Sequence, residues 1–241
     1  MLKVALIGIG GMGGCHFDCY KDIKNAGVIA VCDVRKDMAA EKVSDKNVHI
    51  YESYDELLKN EQPDYVDICT PSYMHREMSI KALEKGINVL CEKPMSLNSE
   101  DTAAIIAAAE KSGKLFGIMY NQRTNPMYQK IRKMVKNGEL GHIKRISWII
   151  TDWYRPQAYH DSCAWRSTWK TEGGGALINQ NPHQLDLWQW MFGMPDRIKS
   201  FVSFGKYYDI EVEDDVTAYF EYDNGTTGTY ITSTGEAPGT N

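Results

Sequence analysis

The 241-residue chain contains no run of 18 consecutive apolar residues, so no part of it reads as a membrane-spanning helix. It also lacks an excess of positive charge. Its 27 Lys and Arg stand against 32 Asp and Glu, a formal charge of −5, which argues against nucleic acid or an anionic membrane as the main partner. No signal peptide precedes the first apolar segment, because Met1-Leu2-Lys3 runs straight into it; the expectation is a soluble, cytoplasmic protein. Paired cysteines at ligand spacing are missing as well. Cys15, Cys19, Cys32, Cys69, Cys91 and Cys163 are scattered, and Cys32, Cys69 and Cys91 fall in or at the ends of apolar runs, as buried reduced thiols do. Cys15 and Cys19 flank His16 but find no second pair, so no metal is expected.

What the chain does have is concentrated at its start. Leu2 to Ile7 is long enough for one buried strand, and it stops at Gly8-Ile9-Gly10-Gly11-Met12-Gly13. The G-x-G-x-x-G spacing is the dinucleotide fingerprint: Gly8 for the tight turn, Gly10 for approach of a pyrophosphate, Gly13 for close packing of the next helix. Gly11 and Met12 open that helix, whose free N–H groups and positive end face the phosphates. A helix from Met12 to Asn25 and a strand from Val28 to Cys32 lead to Asp33, which is placed to accept hydrogen bonds from the adenosine ribose. The same carboxylate repels the extra phosphate of NADP. NAD is therefore the expected cofactor and NADP the lesser one, a preference that Arg35 softens.

Helical patterns over Lys36–Ser44, Ser53–Asn60, Tyr73–Lys85 and Ser99–Ser112 then alternate with strands over Tyr65–Cys69, Ile87–Cys91 and Lys114–Met119. Strands separated by crossover helices predict an α/β domain, a doubly wound parallel Rossmann sheet, over residues 1–122. Ligands in such sheets sit beyond the carboxyl ends of the strands. That singles out Thr70, Pro71 and His75, then Glu92 and Lys93, then Asn121, although each can also be plain turn chemistry. The residue before a proline is extended, so Glu92 and Lys93 point to opposite faces. If Lys93 faces the crevice, partial burial and an oxidised nicotinamide lower its pKa towards that of a proton acceptor.

Past Arg123 the pattern changes. A helix from Asn125 to Asn137 is stopped by Gly138, and strands recur over Ile143–Asp152, Ile198–Phe204, Val216–Tyr222 and Thr226–Thr232, the last two joined at Asp223-Asn224-Gly225. Residues 123–241 therefore read as an α+β domain on a mostly antiparallel or mixed sheet, serving substrate binding and oligomerisation. Between Asp152 and Trp190, Tyr154, Arg155, Trp165, Arg166 and Trp169 mix aromatic planes with cations, as suits stacking on sugar rings or, alternatively, a loop packed by its own aromatics. Gly173-Gly174-Gly175 feeds a predicted helix to Phe192 on which Asn179, His183, Asp186 and Trp190 share one face. Pro182 bends it beside His183, which is either catalytic or a satisfied structural histidine.

The set GIGGMG, CTPSYMH, CEKP and GGGALINQNPHQLD resembles the Gfo/Idh/MocA family of NAD(P)-dependent sugar and cyclitol oxidoreductases. That resemblance implies hydride transfer between NAD and a secondary hydroxyl of a sugar, glycoside or cyclitol. It implies Lys93 as the catalytic-site lysine, with a cis Lys93-Pro94 bond, and His183 as the histidine near the reacting hydroxyl. The segment WYRPQAYHDSCAWRSTW is similar to members acting on glycosides or cyclitols. Many members carry aspartate where this chain has Asn179, which puts an Asp–His relay in doubt; Asp186, one turn after His183, can orient the imidazole instead. An NAD-dependent glycosidase working by transient oxidation and a non-catalytic NAD-binding sensor are the rival readings. The family associates through the sheet of its second domain, so a homodimer or homotetramer is expected, and its chains run about a hundred residues longer, so a truncated C-terminus is expected too.

Overall fold

The computed structural model describes residues 1–241, and the chain divides into two compact units, Met1–Met119 and Tyr120–Asn241. The first runs β1 (Leu2–Ile7), α1 (Gly11–Tyr20), β2 (Ala26–Cys32), α2 (Lys36–Lys42), β3 (His49–Tyr51), α3 (Tyr54–Asn60) and β4 (Tyr65–Ile68). A 3₁₀ turn (Ser72–Met74), α4 (His75–Glu84), β5 (Asn88–Cys91), α5 (Ser99–Ser112) and β6 (Phe116–Ile118) complete it. The six strands pair in parallel in the order β3-β2-β1-β4-β5-β6, so the winding reverses between β1 and β4. β1 is apolar and buried from Val4 to Ile7, where both of its faces are covered. Ala5 and Ile7 pack with Leu57, Leu83 and Ile105, while Leu6 packs with Ile9, Phe17 and Val31.

Caps set the helix limits. The Ser53 hydroxyl accepts from the Glu56 N–H at 3.4 Å to start α3, and the Asn98 side chain accepts from the Asp101 N–H at 2.8 Å to start α5. The largest departures from the sequence expectation in this unit are at α1 and β3. α1 stops at Tyr20, five residues before Asn25, because the N–H groups of Lys21, Asp22 and Ile23 bond three residues back and the Asn25 carbonyl then accepts from the Leu2 N–H at 2.7 Å. That bond sets β2 beside β1. The three-residue β3, bearing His49, has no apolar run to announce it.

In the second unit a 3₁₀ turn (Asn121–Thr124) precedes α6 (Pro126–Lys136), β7 (Arg145–Ile150), α7 (Gln157–His160), a π-helical turn (Ala176–Gln180) and α8 (Pro182–Phe192). β8 (Arg197–Phe204), β9 (Glu213–Glu221) and β10 (Thr227–Ser233) follow. The four strands form a mixed sheet in the order β7-β10-β9-β8, with β10 parallel to β7 and antiparallel to β9. Trp188 of α8 anchors this core. Its ring meets Phe220 edge-on at 4.8 Å, and its Nε1 donates to the Tyr222 hydroxyl at 2.7 Å.

The single helix expected up to Phe192 is two elements. The Asn181 N–H reaches five residues back to the Ala176 carbonyl at 2.8 Å, which makes a π turn, and Pro182, having no N–H, begins a new α-helix. Asn179 therefore lies on the π turn while His183, Asp186 and Trp190 lie on α8.

Candidate active site

The glycine turn after β1 is shaped from two sides. Gly8 has φ +85°, and a Cβ on it would lie 2.9 Å from the Cys69 carbonyl oxygen; a Cβ on Gly13 would overlap the Gly8 carbonyl itself. These two glycines are required by the chain's own packing. Gly10 and Gly11 are different, since a Cβ on either meets nothing of the chain within 4 Å. Bare backbone there suits a phosphate group approaching the first turn of α1. Asp33 is buried, and its carboxylate accepts from the Ile9 N–H and from the Arg35 N–H, both at 2.9 Å, which ties the end of β2 to the glycine turn. Each of its oxygens keeps a lone pair for a ribose hydroxyl. Sequence reasoning passed over Lys42, whose ammonium donates to the Ile9 and Gly10 carbonyls at 2.9 and 3.1 Å. A lysine in the last turn of a helix reads as ordinary dipole complement and gives no signal of this.

The strand-end residues of β4 and β5 are linked to one another. His75 is buried with its Nδ1 2.7 Å from the Pro94 carbonyl and its Nε2 2.9 Å from the Thr70 carbonyl, so it staples the Thr70-Pro71 turn to the segment after β5. Burial lowers its pKa, and the two carbonyls act in the other direction. The Lys93-Pro94 bond is cis. The Glu92 carboxylate is buried, 3.0 Å from His16 Nε2, and its other oxygen accepts the Lys93 N–H at 3.1 Å. Glu92, expected among the cofactor contacts, is thus engaged with α1.

His16 is the second residue that sequence reasoning missed as a site element. Its Nδ1 lies 2.9 Å from Asp67 and 3.3 Å from the Cys69 sulfur. Hydrogen bonds to Asp67, then Cys69 and Glu92, outweigh burial and push its pKa up to about 12, so it stands as an imidazolium between two carboxylates. Burial opposes ionisation of Glu92, yet the His16 contact holds the Glu92 pKa below its ordinary value. His16, Asp67 and Cys69 have the atom types of a metal site, with ligand atoms within 4.8 Å of one another. Their mutual hydrogen bonds already account for the cluster.

In the second unit, His183 on α8 meets the Tyr120 ring edge-on at 6.0 Å. Asp186, expected to orient the imidazole, gives both oxygens to Arg123 instead, with Nε–Oδ2 2.7 Å and a second bond of 2.5 Å. Arg123 and Arg132 lie over the Trp190 ring at 5.6 and 4.7 Å. Asn121 opens the 3₁₀ turn, its carbonyl accepting the Thr124 hydroxyl at 2.7 Å. The aromatic and basic segment is partly stacked on itself. Arg155 lies 5.0 Å and Arg166 4.3 Å from the Tyr159 ring centroid, Arg166 also covers Trp165 at 4.6 Å, and Arg155 donates to Gln180 at 3.2 Å. Tyr154 and Trp169 remain about half exposed. Asn179 donates its amide to the buried carboxylate of Glu172, a residue that sequence reasoning did not single out.

Comparison with known proteins agrees with this geometry. A family profile described as "Oxidoreductase family, NAD-binding Rossmann fold" matches residues 2–120, and one described as "GFO/IDH/MocA C-terminal domain" matches residues 128–241. The chain is 30% identical over 198 residues to the D-glucoside 3-dehydrogenase of Escherichia coli, covering 80% of this chain and 55% of that protein. It is 26% identical over 195 residues to the myo-inositol 2-dehydrogenase of Thermotoga maritima, with the same two coverages. The chain thus spans about half the length of these curated relatives. The WlbA dehydrogenase of Chromobacterium violaceum, solved with NADH and UDP-GlcNAcA, superposes with a TM-score of 0.91 at 29% identity, over 99% of this chain and 68% of that one.

Proposed function

The chain belongs to the Gfo/Idh/MocA family of oxidoreductases, and from that premise we propose that it transfers a hydride between NAD and a secondary hydroxyl of a sugar, glycoside or cyclitol. The observation that carries the reading is the glycine turn locked to Asp33, with open backbone at Gly10 and Gly11 and a carboxylate that retains ribose-binding capacity. Gly8, Gly10, Gly11, Met12, Gly13 and Asp33 would hold the adenosine and pyrophosphate, and Thr70, Pro71, His75 and Asn121 line the ends of the strands and the turn after β6. Bound NAD supplies the hydride acceptor.

In this reading His183 takes the proton as the O–H bond of the substrate breaks, and the Lys93 ammonium stabilises developing negative charge. Tyr154, Arg155, Trp165, Arg166 and Trp169 supply the sugar-facing surface. Dehydrogenases of a glucoside and of an inositol among the relatives support a polyol substrate. Assembly of like chains through the second sheet belongs to the same reading; Ile198, Phe201 and Phe204 on β8 are largely exposed. Sedimentation of the full-length protein tests it, and a monomer at micromolar concentration would refute the assembly.

The function is tested by NADH absorbance on the full-length protein with inositols, hexoses and glycosides. NADH formation with a defined subset is the expected outcome. Aglycone release without NADH accumulation would transfer the reading to glycosidic cleavage by transient oxidation, and NAD binding with no turnover across the panel would make the protein a sensor.

A further inference from the structure

An amide at position 179 cannot accept a proton, so Asn179 looks like a lost catalytic group. Its surroundings say otherwise. Glu172 is 4% exposed, and one of its oxygens accepts the Ser167 N–H while the other accepts the Asn179 side-chain amide. Ser167 is held for this in the left-handed region, φ 58°, and its hydroxyl is bonded to His160 Nδ1 at 2.6 Å. The π turn that carries Asn179 is itself fixed: Glu213, also buried, accepts the N–H groups of Gly175 and Leu177, both at 2.9 Å.

The chemistry of this contact decides which way the Asn179 amide points. The Asn179 amide nitrogen is the atom that faces the Glu172 oxygen, so its NH₂ group is the donor of this contact. The carbonyl oxygen of Asn179 is then turned off Glu172 and can only accept. It offers a hydroxyl or an imidazole N–H the same acceptor that an aspartate oxygen would offer, without the capacity to take the proton. Aspartate at 179 would instead set two carboxylates against each other and trap a proton between them. The identities of residues 172 and 179 are therefore coupled.

Resting on the assignment of His183 as acid–base, we propose that Glu172 is a positioning residue: it locks the Asn179 amide so that its carbonyl oxygen receives the reacting hydroxyl, and the proton goes to His183 alone. The hydroxyl proton goes to His183, bound NAD would supply the acceptor for the C–H hydride, and Asn179 holds the hydroxyl without changing its own protonation.

The test uses the full-length protein with NAD and the polyol identified by the absorbance screen, in the variants Glu172→Gln, Asn179→Asp and the double variant. In Glu172→Gln the new amide can meet Asn179 in either orientation, and kcat should fall on the order of 100-fold while KM moves little. Asn179→Asp should lower kcat and shift the acid limb of the pH–rate profile upward, because the carboxylate pair holds a proton. The double variant restores one carboxylate and one amide in exchanged places and should recover most of the lost turnover and the original profile. Unchanged kcat and pH profile in Glu172→Gln overturn the proposal. Should that single variant fail to fold, a double variant no better than Asn179→Asp overturns it equally. An unsubstituted protein that forms no NADH with any polyol overturns the function and this role with it, whereas normal turnover with no exchange rescue overturns the role and leaves the function standing.

Discussion

At the scale of single residues, the proposed chemistry and the fold's stability fall on different histidines. Replacing His183 or Lys93 with Ala should lower kcat by about 10²- to 10⁴-fold, the range for a lost general acid–base or charge-stabilising group, with NAD affinity unchanged. Steady-state kinetics beside calorimetric NAD titration checks both halves; unchanged turnover in both variants would refute the assignment. His16 answers to pH. Its folded pKa of about 12 lies above the unfolded value near 6.5, so its stabilisation is complete below the unfolded value and fades as pH rises towards the folded one. The stability difference between the protein and His16→Asn should therefore narrow by about 1.4 kcal/mol per pH unit between about pH 7 and pH 9. Urea unfolding across that window measures it, and a constant difference would mean that His16 is neutral.

At the scale of elements, the β1–α1 turn separates glycines the chain needs from glycines a ligand needs. Gly13→Ala drives a Cβ into the Gly8 carbonyl and should cost several kcal/mol, about 3 or more, as overpacking against fixed backbone does. Gly10→Ala meets nothing of the chain and should leave stability within about 1 kcal/mol while weakening NAD by tenfold or more, because the methyl occupies the space of the approaching phosphate. Thermal unfolding and NAD titration of the two variants give the comparison. Equal NAD affinity in Gly10→Ala would take the pyrophosphate away from this turn. The π turn at Ala176–Gln180 is the other decisive element, since it places Asn179 against Glu172 where a continuous α-helix would have set it one regular turn before His183.

At the scale of the whole molecule, two units each carry their own sheet and apolar core. No helix is long and apolar enough to cross a membrane. Cofactor contacts assigned to the first unit make a simple thermodynamic prediction. NAD at about 100 times its dissociation constant should add about 2.7 kcal/mol to the unfolding free energy of that unit, the mass-action value for a ligand that binds only the folded form. Scanning calorimetry with and without NAD reads this as an upward shift of the transition, and no shift would place the cofactor elsewhere or nowhere.

The sequence by itself determined the six-stranded parallel frame except for β3, the limits of α5, the glycine turn ending β1, Asp33 ending β2 and the mixed second sheet. These are local matters, written in apolar periodicity, caps and glycine placement over a few neighbouring residues. It did not disclose that Asp186 serves Arg123, that Glu92 turns to His16, that Lys42 crosses to the glycine turn, or that Glu172 orients Asn179. Such partners lie between 7 and 76 positions apart in the chain. Which carboxylate meets which cation or amide is fixed only when elements pack, because a buried charge must find a partner in space and the chain's local pattern carries no record of where that partner will be.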